Sequence, residues 1–363
     1  MTEPRAARVL IVTADIGAGH DLPAKLLATS LEERGANAVV VDGLAAGGRA
    51  VTALVRSGTE TVLHRLPWLF EAQYWLISTF APTRRLAQHL GVGLAGRGLR
   101  RLIAGVRPDV IVSTYPGTTE VLGRLRSSGC VDVPLVSAIT DLAALRYWAH
   151  PAVDLHLIIH SESAAELAGI IGRREGIRHV RGLVRAQFER PPSRAEARMA
   201  LGLPERGPVV LVSGGGWGVG DVEAAAGEVL RVPDAVAVCL CGNNDALRTR
   251  LELRGDQRLR ALRFTERMPE WMAAADVLVH STAGLTVLEA QLCGTHAVSF
   301  GWGIAHIRVN NRAYRRFGLA HVAASRAELR DLLPRLLAQA RPRDLDYSAL
   351  PAAADAVLEL AGR

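Results

Sequence analysis

The chain has 363 residues, 49% of them apolar and 22% charged, which excludes a disordered polymer and is long for one core, so two α/β domains of similar size are expected. Its longest apolar runs, such as Val9–Ala14 and Val209–Val212, are strand-sized, whereas a membrane-spanning helix needs roughly 20 apolar residues. The formal net charge of +7 is modest in size but unevenly placed.

Met1-Thr2-Glu3-Pro4 leads directly into a strand over Val9–Thr13, with no basic region and apolar core of an export signal, so a cytoplasmic protein is expected. Gly17-Ala18-Gly19-His20 follows that strand and precedes an amphipathic helix beginning near Leu22-Pro23. Glycines there let a ligand approach the backbone, and a helix N-terminus offers free amides and a positive dipole end, so a phosphate or sugar could dock at Gly17 and Gly19. A dinucleotide fingerprint would need a third glycine where Leu22 stands, which argues against nicotinamide or flavin. His20 could take a proton from an acceptor hydroxyl near neutrality, or it could simply start a helix.

After a second strand over Ala38–Val41 comes the segment that carries the charge. Between Arg49 and Arg107 nine arginines stand against Glu60 and Glu71, which is the whole of the excess. Leu66-Pro67-Trp68-Leu69-Phe70, Tyr74-Trp75-Leu76-Ile77 and Phe80 interleave with them, the mixture of an interface-seeking amphipathic insert. An anionic membrane surface met by Arg65, Trp68, Trp75, Arg84 and Arg85 fits that pattern; ordinary helices with solvated arginine faces are the other reading. No recognition motif accompanies the arginines, so nucleic acid is not expected.

Further apolar runs at Val110–Ser113, Leu135–Ile139 and Leu155–Ile159 continue the first series of strands. Phe188-Glu189-Arg190-Pro191-Pro192-Ser193 breaks regular structure, so residues 1–188, with the basic insert over 49–107, are expected to form one domain. A second series, Val209–Ser213, Ala235–Cys241, Asp276–His280 and Ala297–Phe300, places another domain over residues 189–345. Past Arg341-Pro342-Arg343 a helix closes the chain within 346–363. Alternating strands and helices of this kind call for parallel sheets, with ligands at the carboxyl ends of the strands. The four cysteines read as small buried residues, and no metal site is expected.

In the second domain, Ser213-Gly214-Gly215-Gly216-Trp217-Gly218 follows a strand and could wrap a diphosphate with amide donors, though no Gly-Lys-Ser/Thr follows as in a Walker loop. Phe264–Gly294 includes Met268-Pro269-Glu270-Trp271 and Gly284-Leu285-Thr286-Val287-Leu288-Glu289-Ala290. Gly284 and Thr286 would open a helix, and Glu289, one turn on, could accept two ribose hydroxyls. His306 and Asn310, four apart, would share one helical face. Each of these alone is equally a turn, a helix-start acid or a solvated face.

The order of these motifs resembles the monogalactosyldiacylglycerol synthase and processive diacylglycerol glucosyltransferase group, and more distantly the enzyme that adds N-acetylglucosamine to the peptidoglycan lipid intermediate. The resemblance runs from about Val9 to about Leu319 and includes Thr140-Asp141-Leu142, Trp148, Asp154 and Ser161-Glu162. It implies the GT-B fold, two Rossmann-like domains facing across a cleft, and an inverting, metal-independent, cofactor-free transfer from a UDP-sugar to a lipid or other hydrophobic acceptor, at the inner face of the cell membrane. By resemblance, His20 would be the catalytic base or orienter, Gly214, Gly215 and Gly216 would lie near the phosphates, Phe264 and Thr265 near uracil, and Glu289 on the ribose. Asn310 would contact the sugar or the loop that holds it, and the Asp141 carboxylate is the alternative base to His20. Two departures bear on the donor: Ser281 stands where the group has a basic residue, and His306 where it has glutamine. Arg308 could restore that positive charge near the diphosphate only by reaching from a different loop. A soluble natural-product acceptor, a UDP-sugar epimerase or hydrolase, and a non-catalytic UDP-sugar binder remain open alternatives.

Overall fold

The computed structural model describes residues 5–14, 18–48, 67–301, 303, 305–342 and 347–362. The chain divides into two compact units, Met1–Val184 with Ala349–Arg363, and Arg185–Ser348. The first unit holds six strands, β1 (Arg8–Thr13), β2 (Asn37–Asp42), β3 (Val110–Ser113), β4 (Leu135–Ile139), β5 (Leu155–Ile158) and β6 (Ile177–His179), in the order β2-β1-β3-β4-β5-β6. The second holds β7 (Val209–Ser213), β8 (Val236–Leu240), β9 (Leu259–Leu262), β10 (Val277–His280), β11 (His296–Phe300) and β12 (His321–Ala323), in the order β12-β11-β10-β7-β8-β9. Every pairing is parallel, with registers such as Ile11↔Val112 and Leu211↔Leu278.

Parallel strands need helical crossovers that cover both faces of a sheet, so central strands read as unbroken apolar runs. β3, β4, β7, β8 and β10 are buried at every position, while the edge strands β6 and β9 are only half-buried. The helix Ala18–Glu32 buries Ala24, Leu27, Ala28 and Leu31, the spacing of one helical face. In the second unit the helices Val222–Val229 and Arg326–Ala338 pack Val222, Ala225, Val229, Leu329 and Leu333 against Val210, Val212 and Val279.

The expected break at Phe188–Ser193 falls just inside the second unit, where Ser193 and Glu196 form a capping box that starts the helix Arg194–Ala200. The final helix, Ala353–Ala361, belongs to the first unit. Arg181 exchanges backbone hydrogen bonds with Pro351 and Ala353, and the Arg34 and Arg178 guanidinium groups donate to the Asp355 and Glu359 carboxylates.

Arg198, 1% exposed, pins the second unit from beneath its sheet. It donates to the carbonyls of Ala274, Pro204, Glu205 and Gly207 and to Asp276, whose carboxylate also accepts from the Val209 amide that begins β7. Removing one partner of a buried ion pair strands the other. Arg198→Met is therefore expected to destabilise the second unit by about 3 kcal/mol, measured by urea denaturation; an unchanged midpoint would show that the cluster is dispensable.

Candidate functional site

In an open parallel sheet, ligands bind outside the carboxyl ends of the strands where the strand order reverses. In the second unit that reversal falls between β7 and β10. The loop after β7 is the glycine cluster, and its tight path explains its composition. The Val219 amide donates to the Gly214 carbonyl at 2.9 Å and the Gly218 amide to the Gly215 carbonyl at 3.1 Å. A Cβ on Gly214 would lie 2.7 Å from the Gly218 backbone; one on Gly218, at φ 59°, would lie 2.0 Å from the Cys241 carbonyl oxygen. Asn244 ties this loop to its neighbour: Nδ2 donates to the Gly218 carbonyl while Oδ1 caps the helix Asp245–Glu252 through the Leu247 amide. No described group accepts from the amides of Gly216 and Trp217, and space is open beside Gly216. Two amide donors next to a side-chain-free surface suit an anion.

Across the reversal, β10 ends at His280, and the loop to the helix Thr286–Leu292 comes against the glycines: a Cβ on Gly215 would meet Thr282 Cγ2 at 3.0 Å. The Thr282 and Thr286 hydroxyls lie 3.0 Å apart. Gly284 adopts φ 79° with open space around it. Ser281 is buried and brings no charge. His280 is 1% exposed; burial lowers its pKa to about 4, so it is neutral at physiological pH. The sequence reading passed over His280 and Thr282, whose signal was their position at the end of a strand.

The Glu289 carboxyl group accepts no hydrogen bond from the described residues, and burial raises it to about 7, against the pull of the Arg185 guanidinium. Phe264 is 52% exposed after β9, its amide bonded to the Gly242 carbonyl, and Thr265 Oγ1 accepts from the Arg267 amide. His306 and Asn310 do share a turn of the helix Ala305–Phe317, but Asn310 is fully buried and donates to the His306 carbonyl at 2.9 Å. Arg308 lies exposed with Nε donating to the Gly303 carbonyl at 2.6 Å. The glycine loop and the loop through Thr282 are thus brought together.

In the first unit the reversal falls between β1 and β3. Gly19 and His20 lie in the first turn of the helix that follows β1; Gly17 and the His20 side chain lie outside the described residues, as does Arg65. Beside β1, the end of β3 carries hydroxyls that the sequence reading did not single out. Ser113 Oγ lies 2.7 Å from Thr118 Oγ1 and accepts from Thr119 Oγ1, and the Thr114 hydroxyl is buried without a partner. Asp141 follows β4, half-buried, and accepts from Trp148 Nε1 at 3.0 Å.

Residues 20–177 match the family model of monogalactosyldiacylglycerol (MGDG) synthase. The match covers less than half of the chain, and over it the chain is similar to that family. The matched segment begins at His20 and ends on β6, so it lies within the first unit and includes Asp141 and Trp148. Over 310 residues the chain is 28% identical to a probable chloroplastic MGDG synthase of Nicotiana tabacum, covering 79% of this chain and 56% of that protein, so it spans little more than half the plant relative's length. It is 24% identical over 336 residues to a processive diacylglycerol β-glucosyltransferase of Bacillus pumilus, covering 91% of this chain and 86% of that one. Among solved structures it resembles CalG4, the calicheamicin glycosyltransferase, with a TM-score of 0.65, 18% identity and 99% of each chain covered. The architecture, two six-stranded parallel sheets with helices, is the GT-B glycosyltransferase fold.

The helices Pro67–Thr79 and Ala81–Val106, within the matched segment, and Phe80 between them expose Trp68, Trp75, Phe80, Leu86, Leu90 and Leu94, among others, with Arg85, Arg97, Arg100 and Arg101 exposed and Arg84 half-buried among them. The longer helix is anchored by Leu99 and Ile103. No helix of the described residues is long and apolar enough to cross a membrane.

Two outcomes follow from the second unit. Gly218→Ala combines a positive φ with a clash against backbone and should displace the glycine loop, abolishing anion binding there by calorimetry while the far-UV circular dichroism is retained; normal binding would release the loop from that role. A folded pKa raised above the unfolded value makes the Glu289 contribution to stability fully present below about pH 4.5 and lost as pH rises through about 7. Glu289→Gln should therefore raise the melting temperature at pH 8 and flatten its fall between pH 5 and 8.

Proposed function

We infer that this chain is an inverting glycosyltransferase that moves a hexose from a UDP-sugar to a diacylglycerol-like lipid at an anionic membrane surface. The observation that carries the reading is the coupling, in one chain, of a segment that matches the MGDG synthase family model to a second unit whose strand reversal is lined by the unpartnered amides of Gly216 and Trp217. Developing negative charge on a departing nucleoside diphosphate is stabilised by preorganised donors, a task suited to the amides of Gly216 and Trp217, since those of Gly214 and Gly215 donate to the Leu240 carbonyl and the Ser213 hydroxyl and shape the loop. Phe264 offers a face for uracil and Thr265 a polar neighbour, while Glu289 would accept the ribose hydroxyls. His20 would take the proton of the acceptor hydroxyl as it attacks the anomeric carbon from the face opposite UDP, which inverts that centre. Asp141, held by the Trp148 indole, would support it. We assign the step no metal, since the amide donors already meet the charge.

The lipid side of the reading is supported by where the exposed apolar surface lies. Eight of the twelve large apolar side chains exposed among the described residues fall between Trp68 and Leu94, in the segment that also carries the arginine excess. Apolar insertion and attraction of cations to anionic lipid act together in interfacial helices.

Purified protein, supplied with a panel of UDP-sugars, should release UDP from one of them only with diacylglycerol in anionic vesicles or detergent, and EDTA should leave the rate unchanged. Release of free or epimerised sugar without acceptor would move the reading to a hydrolase or epimerase. His20→Ala should lose about 10²- to 10⁴-fold in turnover and keep UDP affinity; equal loss of both would remove it as the base. Co-sedimentation with anionic vesicles should fade with added salt and fall on Trp68→Ala/Trp75→Ala; binding that ignores both changes would remove this segment from the membrane contact.

A further inference from the structure

A polar cluster in the first unit carries more than the roles given so far. β4 and β5 are neighbours with Ile139 opposite Ile158, and both residues pack in one apolar cluster with Leu145, Trp148 and Leu167. Two residues further on, past the carboxyl ends of these adjacent strands, stand Asp141 and His160, near enough for the Asp141 charge to act on the His160 ring. His160 is 4% exposed, and its Nε2 is buried with no hydrogen-bond partner. An unmade hydrogen bond of this kind costs about 1–3 kcal/mol, a cost that a bound polar group would offset.

The cluster is roofed by the apolar-faced helix. Tyr147 donates its hydroxyl to the Ile77 carbonyl at 2.6 Å, tying Pro67–Thr79 to the loop through Leu145–Trp148. Glu166 Oε1 accepts from the Leu145 amide and Asp141 Oδ2 from the Trp148 indole, so both ends of that loop are held by carboxylates. Tyr74 brings its phenol into the field of the same two carboxylates; burial and their charges raise its pKa to about 12, so it stays a donor. The His160 ring feels Glu162, His179 and Asp141, yet burial lowers its pKa to about 4 and keeps it neutral. A carboxylate that accepts, a neutral imidazole with an unused nitrogen and a phenol then meet beneath a helix whose other side exposes Trp68 and Trp75.

The geometry points to His160 as the residue that, with Asp141 and Tyr74, holds the hydroxyl-bearing headgroup of an amphiphilic acceptor whose tails follow the exposed face of Pro67–Thr79. This rests on the lipid-acceptor reading and adds to it where the headgroup sits and which residue selects it. Asp141 would accept from the hydroxyl in the bound acceptor until His20 takes that proton as the attack begins, and the neutral His160 would donate to the adjacent ester oxygen. His160 positions the acceptor and exchanges no proton with it.

The test uses the full-length protein, dioctanoylglycerol and a saturating donor. His160→Leu should raise KM for the acceptor about tenfold, with kcat much less affected and UDP affinity by calorimetry unchanged. His160→Gln, which keeps a donor and an acceptor, should stay close to wild type. Dioctanoylglycerol binding by calorimetry, without donor, should fall in parallel in the leucine variant. A leucine variant with wild-type KM and acceptor affinity would overturn the proposal, as would one in which UDP affinity and melting temperature fall together with acceptor binding and glutamine fails to rescue. If the leucine variant does not fold, the glutamine and Tyr74→Phe variants decide by the same KM and binding readouts, a raised acceptor KM in Tyr74→Phe with near-wild-type values for glutamine supporting the site and unchanged values in Tyr74→Phe overturning it. A wild-type protein that binds dioctanoylglycerol but transfers nothing to it would remove the transferase reading while leaving the headgroup site standing.

Discussion

A strand that pairs in parallel with its neighbour must be reached by a crossover running the length of the sheet, and in this chain every pairing in both sheets is parallel. That connectivity fixes much else. Each sheet is covered on both faces by its own crossovers, so the central strands are apolar throughout and have no surface left for chemistry. The strand-to-helix loops all leave from the carboxyl edge, and where the strand order turns back two such loops diverge and leave room. Polar residues stand at these strand ends: Ser113 on β3 and Thr114 after it, Asp141 after β4, His160 after β5, Ser213 on β7 and His280 on β10.

The opposite, amino edge has a different task, which the residues there make plain. Asp276 receives Arg198, Arg194 and the Val209 amide, and Arg341 donates to the carbonyls of Ala273, Cys293 and Gly294. These guanidinium groups close the ends of helices and strands whose carbonyls would otherwise go unpaired. Charge at that edge is consumed by the backbone. At the carboxyl edge, by contrast, amides at Gly216 and Trp217 and side-chain atoms at Thr114, His160 and His280 lack partners among the described residues. In the second unit, stability and site are thus segregated to opposite ends of the same strands.

Much of this was legible before any coordinates. The apolar runs that marked β1, β3, β4, β7 and β10 agree with the observed strands to within a residue or so at each end. The three strands that went unread, β6, β9 and β12, all lie at sheet edges and are half-buried or partly exposed. An edge strand is covered less and can be polar, so Ile177–His179 carries no periodic signal strong enough to see. The glycine loop was legible because close backbone approach leaves only one residue type possible at Gly214 and Gly218. His160 and His280 were not, since a histidine at a strand end reads the same whether its nitrogens are satisfied or not. Asn310 illustrates a different gap: helical spacing paired it with His306, but spacing cannot say which face of the helix is buried.

The buried polar groups at the carboxyl edges also decide what pH can change. Imidazoles titrate near neutrality when solvated, yet His160 and His280 are both lowered to about 4 by burial, so neither changes charge across the physiological range. Tyr74, raised to about 12, stays protonated over the same range. Glu289 goes the other way: burial brings a carboxyl, ordinarily ionised well below neutrality, up to about 7. One physical cause, desolvation of the charged form, thus silences histidines and a tyrosine and brings a carboxylate into play. A carboxyl poised there gains its charge most easily when hydroxyl donors arrive to solvate it, so ligand binding at the second unit should be linked to loss of a proton from Glu289. The first unit's cluster has no such linkage through His160, whose contribution is the hydrogen bond that its buried nitrogen can make.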